Sequence, residues 1–301
     1  MDLGFWGKLS KPFTVLAPME DVTDTTFRQM IAKIARPDVF FTEFSNVEAI
    51  IHGELSRLKF TRSEKPIAAQ IWGTEPESFL KAAKIVKDLG FDGVDINMGC
   101  PVRDVVKIGC GGARIKPEFR NQNAEIIQAT KEGARGLPVS VKTRIGFSQI
   151  ETEDWLGFLL NQNLAAITVH GRLVKEMSKY PANWEEIGKA VSLKNESGVE
   201  TLIIGNGDVA SYSQVEEKRE KYGVDGVMIG RAVLTNPAVF DKNGRVLTID
   251  ERLDYLAAHA KLFKKTWANV RSMTEFRKMV KMYVNGFEGA AEMRQKLMEN
   301  Y

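Results

Sequence analysis

The sequence predicts a (β/α)8 barrel, the TIM-barrel fold, followed by a small C-terminal helical domain, and three observations predict it. Eight short, β-branched, nearly uninterrupted apolar runs recur along the first 231 residues. Such runs suit strands buried on both faces, and the stretches between them are long enough for crossover helices, which implies a parallel sheet. After residue 241 the pattern changes to helical spacing. With 301 residues and 44% hydrophobic content, the chain is long enough for one barrel of roughly 250 residues plus an appendage.

In order, the expected strands are residues 14–19, 39–44, 67–73, 93–99, 138–144, 166–170, 201–206 and 226–231. Between the third and fourth, Phe79, Ala83, Val86 and Leu89 fall near one helical face, with Gly90 as the stop. Residues 241–244 form a turn-rich linker ending in Gly244. Beyond it, Leu253, Leu256, Ala260, Phe263 and Trp267 keep helical spacing, and Phe276, Met279, Val280 and Tyr283 begin a second helix or pair. The expected boundary divides residues 1–245 from residues 246–301.

Bulk properties exclude several classes. No run approaches the ~18 apolar residues of a membrane span, so the expectation is a cytoplasmic protein, and a monomer. The two cysteines, Cys100 and Cys110, lie in no Cys-x-x-Cys motif or His cluster, so neither a structural disulfide nor a metal is expected. A net charge of +3 alone does not argue for nucleic acid. Its distribution does: residues 251–301 hold ten Lys/Arg against six Asp/Glu, a net +4, which leaves the rest of the chain slightly acidic.

In this fold the reactive groups sit where strands end and βα loops begin. Those ends supply Pro18 and Met19, Glu43, Gln70, Asn97 to Cys100, Lys142 with Arg144, His170 with Arg172, Asn206 to Asp208, and Gly230 with Arg231. Gly205, Gly207, Gly230 and Arg231 follow the last two strands, the usual phosphate site of such barrels, where glycine admits close backbone approach and arginine can bind bidentately. The other reading is that these glycines only close tight turns. Lys142 and His170 stand where a cofactor anchored there would extend, and a cation beside a flavin N1–C2 edge stabilises the reduced ring. An internal salt bridge is the alternative for Lys142, and a satisfied structural role is the alternative for His170. Proline and glycine around Cys100 fix a loop that leaves a thiol at the end of the fourth strand, able to donate or accept a proton, although free cysteine is commonly a small buried hydrophobe. Arg103 and Lys107 are expected to lower its pKa. Cys110 reads as structural.

Taken together, these residues resemble a known family. Residues 17–24 (Ala-Pro-Met-Glu-Asp-Val-Thr-Asp), Thr42 with Glu43, Gln70 to Gly73, Asp95 to Pro101, Val106 to Gly109, Val141 to Arg144, Val169 to Arg172, Gly205 to Asp208 and Gly230 with Arg231 are similar to the tRNA-dihydrouridine synthases, in the family's order. The tail continues the likeness through Phe276 to Met279, Tyr283 to Gly286 and Arg294. Single motifs are shared with other flavin barrels; the Asn-x-Gly-Cys-Pro loop together with that tail is more specific. The resemblance implies an FMN-dependent enzyme that reduces the C5=C6 bond of particular uridines in tRNA with NADPH as electron source. Reduced flavin would deliver hydride to C6, and Cys100 would give the proton to C5. It further implies that Pro18, Met19, Gln70, Lys142, His170, Asn206, Gly207, Asp208, Gly230 and Arg231 hold FMN, that Asn97, Lys142 and Arg172 meet the uridine, and that the C-terminal helices bind RNA. Two places depart from the family pattern: after Arg172 the family's usual Thr, then Gln and Tyr before an Ala-x-Trp, is matched here at its end (Ala182 to Trp184) and not in the middle of residues 173–181, and Arg114 stands where an apolar residue is usual.

Three other classes fit parts of the pattern. A flavin barrel acting on a small molecule would share the phosphate site without needing a basic tail. A barrel aldolase would use Lys142 as a Schiff base and copurify without flavin, and a non-catalytic RNA-binding module would be indifferent to loss of Cys100.

Overall fold

The computed structural model describes residues 2–268 and 270–299. Its centre is a parallel sheet built from β1 (Phe13–Leu16), β2 (Phe40–Phe41), β3 (Ser45–Asn46), β4 (Ile67–Trp72), β5 (Gly93–Met98), β6 (Val139–Arg144), β7 (Ala166–His170), β8 (Leu202–Asn206) and β9 (Gly226–Ile229). Neighbours run β1-β9-β8-β7-β6-β5-β4-β2, with β3 also paired to β4. Hydrogen bonds from Leu16 N to Val39 O and from Val39 N to Thr14 O close the ring. The sheet is therefore the predicted barrel. The second strand departs from the reading: of the expected residues 39–44 only β2 is regular strand, and β3 follows after Thr42, Glu43 and Phe44, where the Glu43 carboxylate accepts from Asp21 N at 2.6 Å.

Alternation along the strands sends every second side chain inward. Phe13, Val15, Ala68, Ala166, Leu202, Ile204 and Met228 fill the lower barrel, and Trp6, from the N-terminal turn Gly4–Lys8, packs against Phe13 and Phe41 beneath them. Gly226 makes room for Phe13: a Cβ there would stand 2.3 Å from its ring. Higher up the inward residues become polar. The register aligns Gln70 with Asp95 and Ser140, Asn97 with Lys142 and Thr168, and Arg144 with His170 and Asn206.

The helix α1 (Thr25–Ile34) follows β1, α2 (Val47–Ile51) follows β3, and α3 (Pro76–Asp88) follows β4. On α3 the buried face is Phe79, Ala82, Ala83 and Val86, whereas Leu89 is 40% exposed. The sequence reading put Leu89 near the same helical face; the helix has ended by that residue and the chain turns through Gly90, at φ +85°. The outer layer continues with α4 (Arg103–Lys107), α5 (Arg120–Ala134), α6 (Thr152–Leu160), α7 (Trp184–Ser197) and α8 (Tyr212–Tyr222). No helix among the described residues is long and apolar enough to cross a membrane.

Three further helices complete the chain: α9 (Ile249–Trp267), α10 (Met273–Tyr283) and α11 (Ala290–Glu299). Thr248 with Glu251 and Ser272 with Glu275 form capping boxes that start α9 and α10. Phe263, Trp267, Phe276 and Tyr283 share one apolar core with Phe27 and Ile31 of α1. Polar groups seal this seam. Asp24 caps α1 by accepting from Phe27 N at 2.9 Å and accepts from Trp267 Nε1 at 2.7 Å, while Arg271 lies 3.5 Å from Asp24 and 3.8 Å from Glu43. His259 bridges Thr26 and Tyr283, and burial pushes its pKa down to about 4, so it is neutral.

Candidate active site

The carboxyl ends of β1 and β6–β9 surround a cavity of about 650 Å³. Of the predicted site residues, Pro18, Met19, Lys142, His170, Arg172, Asn206, Gly207, Asp208, Gly230 and Arg231 line it. Pro101 lines it too; the half-buried Cys100 before it is not among the lining, although Lys142 and Arg144 of that lining act on its thiol. Gln70 and Asn97 are not among its lining; they lie at the β4 and β5 ends, buried in the barrel interior.

The lining is cationic. Lys142, Arg144, Arg172 and Arg231 face it with the single carboxylate of Asp208. Burial, reinforced by the charge of Arg144, pushes Lys142 down to about 8. Its Nζ donates to Asn206 Oδ1 at 3.2 Å, and the Asn206 amide is oriented by its own donation to Met228 O at 2.8 Å. His170 is held well below its ordinary value by burial and by Lys142 and Arg144. The neutral ring receives Arg172 at Nε2 (2.9 Å), which leaves its proton on Nδ1 as a donor. Arg172 is 3% exposed, and its guanidinium is engaged on three sides, by Tyr180 O, His170 and Asp208 (2.5–2.6 Å). Burial works against ionised Asp208, yet the Arg172 hydrogen bonds and the Ala182 N–H hold its pKa low. Gly207, at φ +130°, packs where a Cβ would lie 2.5 Å from Ala182 and 3.3 Å from the His170 ring. The second phosphate-site candidate, Gly230, leads into the short turn Arg231–Leu234.

The thiol behaves differently from the expectation. Burial raises the Cys100 pKa, and the cations acting against that rise are Arg144 and Lys142. Arg103 and Lys107, the neighbours expected to lower it, stand exposed on α4, and neither acts on the thiol. Cys100 is therefore a thiol rather than a thiolate near neutral pH.

Three functional placements were missed from sequence. Arg144 donates from Nε to Gly99 O at 2.9 Å and from one terminal nitrogen to Leu173 O and Met177 O at 3.0 and 2.8 Å, tying the Cys100 loop to the atypical loop 173–181. That loop brings Met177 and Ser178 to the cavity. Asp95 is fully buried directly under the site. Arg114 proves to be a clamp: it donates to Gln122 Oε1 at 2.6 Å and Gly73 O at 3.3 Å and covers the Phe119 ring. The long spacings between these partners hid them.

Comparison with known proteins adds a consistent result. The sequence model described as dihydrouridine synthase (Dus) matches residues 15–301. A probable tRNA-dihydrouridine synthase of Staphylococcus aureus (strain MRSA252) is 46% identical, over 99% of this chain and 92% of its own. A probable tRNA-dihydrouridine synthase 2 of Bacillus subtilis (strain 168) is 44% identical, over 99% and 93%. Among solved structures, morphinone reductase matches with a TM-score of 0.57 at 14% identity, covering 82% of this chain and 89% of its own. Histamine dehydrogenase from Rhizobium sp. 4-9 gives 0.58 at 12%, covering 78% and 46%. At those identities the two structures speak for the barrel fold alone.

Proposed function

The chain belongs to the dihydrouridine synthase family, and from that premise we propose that it reduces the C5=C6 bond of uridine in tRNA, with FMN bound in the rim cavity, NADPH as electron source and Cys100 as proton donor. The observation that carries this reading is one cavity where three arginines and a half-buried lysine face a single carboxylate, bordered by Pro101, the residue after a cysteine whose pKa burial raises.

Such a cationic cavity fits a phosphorylated, planar anion. Gly207, Gly230, Arg231 and the backbone of Asp208 would hold the phosphate, with the Asp208 carboxylate kept on Arg172, while Pro18, Met19, Lys142, His170 and Asn206 would meet the ring system, with Gln70 beneath them. Bound in reduced form, FMN would supply the electron pair and hydrogen that saturate C6. The chain's own residues do the rest. A proton donor must carry its proton at working pH, and burial keeps Cys100 in that form. When the thiol gives its proton to C5, Lys142 and Arg144 are the cations placed to stabilise the thiolate left behind. Lys142 and the Nδ1–H of His170 are donors for charge developing on a uracil carbonyl. Asn97, buried outside the lining with both ends of its amide engaged, would serve the base through the Cys100 loop it holds, and Arg172 would act mainly by fixing His170 and Asp208. The barrel of residues 1–245 is the catalytic part, and residues 246–301, with their basic excess, face the RNA. Phosphate contacts there would offset the few kcal/mol needed to unstack the target base.

The test begins with a visible spectrum of the purified protein and an assay of NADPH-dependent dihydrouridine formation on unmodified tRNA. A yellow protein is expected, with Cys100→Ala keeping the flavin spectrum and losing turnover by about 10²- to 10⁴-fold. A colourless protein that cannot be reconstituted with FMN would sink the redox reading.

A further inference from the structure

We propose that Asp95 is a positioning residue that sets the geometry of the Cys100 loop through a one-way relay of two side-chain amides. The inference rests on the reading of Cys100 as proton donor for its functional meaning, though not for its geometry.

Gly99 N and Cys100 N both donate to Asn97 Oδ1, at 3.1 and 3.0 Å. Two N–H groups can be met only by the oxygen, so the Asn97 amide nitrogen must point the other way, where it donates to Gln70 Oε1 at 3.0 Å. The Gln70 amide is then fixed in turn, and its nitrogen donates to Asp95 Oδ2 at 2.7 Å. Asp95 Oδ1 accepts from Ser140 Oγ at 2.6 Å. Asp95 and Gln70 are fully buried and Asn97 nearly so, so an amide that flipped would have no water to turn to.

The chain is determined at both ends, by backbone donors above and by a group without a donor below. This accounts for an otherwise costly choice. Burying a carboxylate is unfavourable and raises Asp95 to about 6, and a hydrophobic residue would pack the barrel more simply; what the carboxylate offers, ionised above that pH, is that it can only accept. Gln70 therefore cannot reverse without setting oxygen against oxygen, and Asn97 cannot reverse without setting its NH2 against two N–H groups.

Reversing the polarity tests it. In Asn97→Asp, two carboxylates compete for the single Gln70 NH2. In the double variant Asp95→Asn/Asn97→Asp the relay can run backwards: the introduced amide donates to Gln70 Oε1, Gln70 donates to the introduced carboxylate, and that carboxylate still accepts from Gly99 N and Cys100 N. The readout is the pH profile of Cys100 alkylation by iodoacetamide in flavin-loaded protein, resolved peptide by peptide from Cys110. Asn97→Asp should change the Cys100 rate by about tenfold or more, because thiolate fraction and access govern it. Asp95→Asn alone should stay within about threefold, since asparagine can turn its oxygen to Gln70 and its nitrogen to Ser140. Adding Asp95→Asn to Asn97→Asp should restore the wild-type profile, and a double variant no better than Asn97→Asp overturns the relay. Should Asn97→Asp not yield folded protein, Gln70→Leu removes the middle link, and a Cys100 profile superimposable on wild type then overturns it. Turnover of Cys100→Ala separates the two ideas: retained turnover with restored alkylation removes the donor reading and keeps the relay, while lost turnover without restoration does the reverse.

Discussion

The cavity rim and the seam between α1 and α9 hold similar numbers of ionisable and polar side chains, and they use them in opposite ways. At the seam, each charge has a near partner: Asp24 meets Trp267 and Arg271, Arg271 reaches Glu43, and neutral His259 sits between two hydroxyls. At the rim the ratio is inverted: Lys142, Arg144, Arg172 and Arg231 share the one carboxylate of Asp208, which Arg172 already holds, and Lys142 has one amide oxygen. A cavity whose cations outnumber its carboxylates suits an anionic ligand, whereas a region that sets its charges against one another is arranged to hold two parts together.

Lys142→Met should break the rim most severely. Turnover is expected to fall by about 10²-fold or more, with no loss of thermal stability, since a half-buried cation has been removed. Asp24→Ala should show the converse. It deletes a helix cap, worth about 1 kcal/mol, and leaves buried donors unpaired, at about 1–3 kcal/mol; the melt should shift down by several degrees while FMN affinity measured by fluorescence quenching stays within about threefold. An Asp24→Ala protein as stable as wild type would show that the seam is not structural.

A pH series sharpens the contrast. A lysine at about 8 instead of its ordinary 10.5 is disfavoured as a cation by the fold, so its penalty is complete below pH 8 and fades as pH rises towards 10.5. Fold stability from Lys142 should therefore grow over that window, while FMN affinity falls and binding takes up a proton, visible as buffer-dependent heats in calorimetry. Both trends should vanish in Lys142→Met. The smallest effect lies outside both regions: Leu89→Ser should change stability by under about 0.5 kcal/mol, against about 1–3 kcal/mol for Val86→Ala one turn earlier on the buried face, read by urea unfolding.

Much of this was legible in the sequence because its physical cause is local. Strands buried on both faces must be apolar throughout, so the eight runs stood out; only the second was misread as continuous, where the Glu43 carboxylate bonds a backbone N–H 22 residues away. Ten of the expected site residues meet around one cavity because strand ends of a parallel barrel all point to one rim. What sequence adjacency could not supply was electrostatics across strands. Arg103 and Lys107 are near Cys100 along the chain, but Arg144 and Lys142, from the neighbouring strand, act on it in space. Asp95 was visible within a motif, yet its relay depends on which amide end faces which neighbour, and one-dimensional spacing carries no such direction.

Arg144 has a consequence for how this fold can diversify. Its guanidinium donates to the loop 173–181 at the carbonyls of Leu173 and Met177, and a carbonyl is the same whatever side chain it belongs to; of the loop's side chains, Glu176 adds charge attraction. The hydrogen-bonded anchor that the outer loop shares with Gly99 would therefore survive exchange of most of the loop's side chains, so the lip of the cavity could vary in chemistry while its underlying shape is kept.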